Sequence, residues 1–103
     1  MRNNDYLGDD KKLAITINSQ GFNMNTDPWK VTIVNGKNKI ICDRDQNAVK
    51  DEHDQWYLLV DTTQLGVGTP KAIIEIDVPD TDFIDDHYRH EVYSMSLKPI
   101  VKP

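Results

Sequence analysis

The chain has 103 residues, 38% of them hydrophobic and 28% charged, with a net charge of −5 at pH 7. That is enough for one small domain and one thin core, not two. Its twelve basic residues are scattered, which excludes the basic stripe that nucleic acid or an anionic membrane requires; no apolar run approaches the roughly 20 residues of a bilayer span.

The opening MRNNDYLGDD lacks the apolar segment of a secretory signal, and residues 1–11 read as a flexible lead-in. KKLAITIN then alternates Leu13, Ile15 and Ile17 with Ala14, Thr16 and Asn18, the period-two pattern of a strand with one buried face. SQGFNMNTDP is a polar connection in which Phe22 and Met24 are placed to plug one end of the core.

WKVTIV, Asn35-Gly36 and KNKIIC form the sharpest local signal in the chain. Asn and Gly both tolerate positive φ, so the expectation is a hairpin closed by a two-residue type I′ turn. Cys42, the only cysteine, ends an apolar run and reads as a small buried hydrophobe; alone it can make no intrachain disulfide and no cysteine-built zinc site.

DRDQNAVKDEHDQ is a charged loop or irregular edge. WYLLVD resumes the sheet with Trp56, Leu58 and Val60 on one face, TTQLGVGTP turns the chain, and KAIIEIDV points Ala72, Ile74, Ile76 and Val78 inward. The last strand runs from about Tyr88 to Lys98 with Tyr93, Met95 and Leu97 as its buried set. Residues 99–103, with two of the chain's five prolines, read as an extended tail or an edge. The fold class is all-β: over residues 12–98, a two-layer antiparallel, immunoglobulin-like sandwich of six to seven strands, preferred to a closed barrel.

Each candidate for chemistry has a plain structural counterpart. Asp43, Asp45, Asn47, Asp51 and Asp54 fall at positions 1, 3, 5, 9 and 12 of a twelve-residue calcium loop. Ala48 stands where that loop needs glycine and Asp54 where it needs glutamate, which favours a solvated acidic loop. DVPDTDFIDDHYRHEV, residues 77–92, gathers aspartates with His87 and His90, but a three-residue spacing on a strand sends two imidazoles to opposite faces. No cofactor is called for, no nucleophile elbow surrounds any serine, and the expectation is a protein that is not an enzyme. Trp29 and Trp56 share parity with core residues. Tyr57, Tyr88 and His90, with Asp82 and Asp85 of the nearby loop, remain as a contact surface for protein or, alternatively, for a glycan or cell-surface polymer.

KLAITIN, the DPWKVTIVNGK hairpin, WYLLVDTTQLGVGTPKAIIEIDVPDTDF and the final strand together resemble small immunoglobulin-like domains of tailed phages and prophages of Bacteroides-type bacteria. The layout is also similar to the N-terminal domain of phage baseplate upper proteins. The most telling part is DTTQLGVGTPKAIIEIDV, where Leu65 tucks under the sandwich and Gly66 and Gly68 let the chain turn; Thr69-Pro70 replaces the family's usual aromatic. The resemblance implies a structural or adaptor module of a virion tail or baseplate, made in the bacterial cytoplasm without a signal peptide. Such a module contacts other protein subunits or copies of itself, and not nucleic acid or membrane.

Overall fold

The structure, a computed structural model, describes residues 5–103. In chain order the elements are β1 (Asp5–Tyr6), β2 (Asp10–Ile15), β3 (Trp29–Asn35), β4 (Asn38–Cys42), β5 (Ala48–Lys50) and β6 (Trp56–Asp61). There follow α1 (Thr62–Leu65), β7 (Lys71–Pro79), β8 (Tyr88–Ser96) and β9 (Ile100–Val101). A three-stranded sheet β2-β6-β5 packs against a four-stranded sheet β4-β3-β7-β8, and every pairing within them is antiparallel. The expected all-β sandwich is present, with about nine strands once the shortest are counted.

The alternation read from the sequence decides which side chains lie between the layers. Val31 and Ile33 of β3, Ile40 and Cys42 of β4, Trp56, Leu58 and Val60 of β6, and Ala72, Ile76 and Val78 of β7 are all buried. Each large aliphatic among them stabilises the fold by about 1.5–3 kcal/mol through removal from water. Trp29 and Trp56 meet edge to face, with ring centroids 5.5 Å apart. Their indole N–H groups donate to Met24 O at 2.9 Å and Asn25 Oδ1 at 3.1 Å, so the core itself anchors the long β2–β3 connection. Phe22 and Met24 pack on the core from that connection, as expected.

Several expectations are corrected. Of the segment 1–11 read as flexible, residues 1–4 lie outside the described residues; Asp5–Tyr6 forms a strand and Asp10 begins β2. β1 pairs in parallel with β9 and Ile100 is buried, so of the two readings of residues 99–103, tail or edge, Ile100–Val101 takes the edge. A buried Thr62 ties this end down: its hydroxyl donates to Asp9 O at 2.8 Å and accepts from Gly8 N at 2.9 Å. Of the two readings of residues 43–55, loop or irregular edge, Ala48–Lys50 takes the second, an edge strand whose backbone pairs with β6.

The β3–β4 turn is also reassigned. Asn35 pairs with Asn38, so Gly36 and Lys37 are the two loop residues. Only Gly36 has positive φ, +59°, the requirement of a type II′ turn and not of type I′. Freed from the turn, Asn35 Nδ2 donates to the carbonyls of Leu65 at 2.9 Å and Val67 at 3.0 Å, and Asn38 Nδ2 to Leu65 O at 3.0 Å. The two asparagines clamp the α1 corner, whose Leu65 is buried under the sandwich.

Finally, Tyr93 and Met95 have the inward parity assigned to them but are 46% and 55% exposed. β8 is the outer strand of its sheet and the opposing sheet ends at β2, so that a cleft is left between Leu13 and Ile15 on one side and Met95 on the other.

Candidate functional site

The stretch 77–92 is the end of the β7–β8 hairpin. The register holds from Lys71–Ser96 to Pro79–Tyr88, and Asp80 N donates to His87 O at 2.8 Å just beyond it. Within the turn, Asp80 Oδ1 accepts from Asp82 N at 3.1 Å and Asp86 Oδ1 from Tyr88 N at 3.0 Å. His87 takes positive φ, +61°, where the chain re-enters the strand. Aspartates in a turn are thus used as local caps for backbone N–H groups, the role their short acceptor side chains suit best.

Two ionic networks flank this turn, one on each face of the sheet. On the outer face His90 lies between two carboxylates, Nδ1 against Asp77 and Nε2 2.9 Å from Asp86. The hydrogen bond to Asp77 and then that to Asp86 raise the imidazole pKa above its usual 6.5. On the inner face Arg89 donates to Asp80 and to Glu91, each at 2.6 Å, and reaches Gln20 O at 3.0 Å. Glu91 also accepts from Tyr93 and, at 2.8 Å, from Ser19. Hydrogen bonds from Tyr93, Arg89 and Ser19 lower the Glu91 pKa to about 2. Because all of these groups touch solvent, the networks act more on geometry than on stability: they fix the hairpin and strap the β2–β3 connection to it.

No family model, curated protein or solved structure matches this chain. The site therefore has to be read from its own chemistry.

Asp82, Asp85, Tyr88 and His90 belong to one neighbourhood, the hairpin end. Tyr57 does not. It lies on β6 with its flanking residues Trp56 and Leu58 in the core, so it faces outward from the three-stranded sheet, on the opposite side of the sandwich. There its ring sits under Lys12, 5.0 Å from the ammonium, and its hydroxyl is 3.4 Å from Asp51. The five-residue contact surface expected from the sequence is split in two, and the tyrosines form no common stacking platform.

The calcium candidate is also taken apart. Asp43 and Asp45 belong to the turn before β5, where Asp43 accepts from Asp45 N at 2.8 Å and from Gln46 Nε2 at 3.0 Å. Asn47 donates to Ile41 O at 2.8 Å. Asp51 and Asp54 follow β5, Asp51 accepting from His53 N and Gln55 N and Asp54 pairing with Lys50 at 3.4 Å. A strand through the middle of the motif holds its two halves at opposite ends. Among the described residues, no three His, Cys, Asp or Glu side chains gather as a ligand set.

What the sequence reading missed is the partnering of Asp77, Asp80, Arg89 and Glu91. A signal was present: Arg89 and Glu91 occupy inward parity on β8, and inward-pointing charges mark a sheet edge. The turn and β8 also hold most of the exposed large apolar side chains, namely Phe83, Ile84, Val92, Tyr93 and Met95, with Ile84 83% exposed and Val92 66%. An unpaired strand edge beside exposed apolar groups is chemistry for docking.

Proposed function

We propose that the chain is a non-enzymatic structural or adaptor module of a phage or prophage particle, of the tail or baseplate type its sequence resembles. It is made in the bacterial cytoplasm and acts through protein–protein contacts. The observation that carries this reading is the concentration of exposed apolar side chains on the β7–β8 hairpin, from Phe83 to Met95, at the open edge of a sheet. The hairpin is tied on both faces, by His90 with its two aspartates and by Arg89 with Asp80 and Glu91, and side chains already held in place lower the ordering cost of association.

The test is to induce the genetic element in its native host, purify the particles and probe for this chain. Pairwise co-elution with the products of flanking genes is measured in parallel. The reading expects the chain in the particles and co-elution with at least one flanking product. A chain absent from particles that elutes alone beside every flanking product refutes it.

A further inference from the structure

The strand order shows where the sandwich is incomplete. An immunoglobulin sandwich reads A-B-E-D in one sheet and C′-C-F-G in the other. Here β2-β6-β5 fills B-E-D and β4-β3-β7-β8 fills C′-C-F-G. The short β1, paired in parallel with β9, stands at one end of the flank between β2 and β8 where an A strand would run; along Tyr88–Ser96, among the described residues, no strand pairs with β8 on that side. Leu13, Ile15, Ile74, Met95 and Leu97 line a cleft of about 220 Å³ there.

Hydrogen bonding decides which groups β8 offers to that flank. His87 O and Leu97 N both bond to the β7 side, and the register between them is unbroken. Odd-numbered residues of β8 therefore form its hydrogen-bonded pairs with β7, and the backbone N–H and C=O of His90, Val92, Ser94 and Ser96 point outward.

We propose that this edge pairs with β8 of a second copy of the chain, antiparallel about a two-fold axis at Val92, so that the two four-stranded sheets become continuous. The proposal rests on the protein-contact reading above and names its partner. Charge selects the arrangement. The hairpin is acidic at its turn, through Asp80, Asp82, Asp85 and Asp86, and basic at its other end, where Lys71 pairs with Ser96 and Lys98 follows.

A two-fold at Val92 sets Tyr88 opposite Ser96 of the second copy, which brings each acidic turn beside the other copy's Lys71 and Lys98. Within the strand, every charged side chain meets an uncharged one. Arg89 faces Met95 of the second copy and lays its aliphatic stem over it; Glu91 faces Tyr93, and His90 faces Ser94. Val92, the exposed apolar residue at the middle of the strand, meets itself. A parallel pairing would place acidic turn against acidic turn.

Sedimentation equilibrium of the purified chain from micromolar to millimolar concentration tests this, with thermal melting as the control for folding. A concentration-dependent dimer is expected. Ser94→Pro removes an outward N–H and no bond to β7, a position where a strand tolerates proline; it should weaken the dimer by about tenfold or more with a near-native melt. Lys98→Glu should also weaken the dimer, and adding Asp85→Lys in the same chain should restore it. If Ser94→Pro unfolds the chain, Val92→Lys, which sets two ammonium groups together at the axis, serves the same purpose.

A chain that stays monomeric to millimolar concentration overturns the proposal, as does a dimer indifferent to both edge variants or to the charge reversals. A monomer found in particles sinks the dimer and leaves the module reading standing. A dimer never found in particles does the reverse.

Discussion

Replacing Gly68 by alanine probes the corner that closes the sandwich. Gly68 has φ +138°, where side chains are strained, and a Cβ there would lie 2.8 Å from Asn35 Oδ1 and 3.0 Å from its Nδ2. The backbone cannot retreat easily, since Gly68 N donates to Ile100 O at 3.0 Å and Gly68 O accepts from Ile100 N at 2.7 Å. Two costs add. Backbone strain is worth about 1–3 kcal/mol. Displacing the Asn35 amide from the carbonyls it holds costs about 1 kcal/mol more. The total, about 2–4 kcal/mol, corresponds at about 4–8 °C per kcal/mol to a fall in Tm of roughly 10–30 °C.

Urea denaturation of the wild type, Gly68→Ala, Asn35→Ala and the double variant separates the two costs. With Asn35 already truncated, alanine at 68 meets no amide and only the backbone cost remains, so the double variant should be more stable than additivity predicts by about 1 kcal/mol. A single variant within about 0.5 kcal/mol of wild type, or strict additivity across the cycle, would refute the argument.

Further outcomes follow from other parts of the fold. Thr62→Val keeps the shape and the backbone bond from Thr62 N to Asp9 O but takes the acceptor from Gly8 N, and should cost about 1–3 kcal/mol with faster hydrogen exchange at Gly8; unchanged stability would show that the hydroxyl does not tie down β1 and β2. Cys42 is fully buried, and desolvation first, then Asp43, raises its thiol pKa to about 11; it should resist disulfide reagents at mildly alkaline pH until urea unfolds the chain, and native labelling at a free-thiol rate would contradict its burial. His90 has a folded pKa raised above 6.5, so its contribution is fully present below pH 6.5 and lost as pH rises through the folded value. The stability gap between wild type and His90→Gln, read from urea midpoints, should shrink over that window; a widening gap would refute the assignment. Glu91, lowered from 4.5 to about 2, works the other way: its contribution is present above pH 4.5 and lost as pH falls toward 2, so the deficit of Glu91→Gln should vanish in acid.

Strand alternation was legible in the sequence because the period of two is a local property of extended backbone. Leu13 and Ile15, Val31 and Ile33, Trp56 and Leu58, and Ile76 and Val78 all face where their spacing put them. The β3–β4 hairpin was legible for the same reason, although one shift in register moved Asn35 out of the turn and made it a clamp on the α1 corner, thirty residues away and more. Aspartates as turn residues and His90 on an outer face could also be read locally.

Burial on β8 was not legible. Parity aims Tyr93 and Met95 inward, but whether anything lies opposite them depends on where the other sheet stops. The calcium pattern failed because spacing alone does not reveal that Ala48–Lys50 pairs with β6 and parts the acids. Tyr57 and Tyr88 look alike in sequence and end on opposite sides of the sandwich. β1 and β9, two residues each, carry no pattern of their own and exist only because the folded core brings the two ends of the chain together. Composition and periodicity determined the layers and the inward faces; the order of strands across each sheet, and with it the open edge at β8, belongs to long-range pairing, which sets contacts that no local stretch encodes.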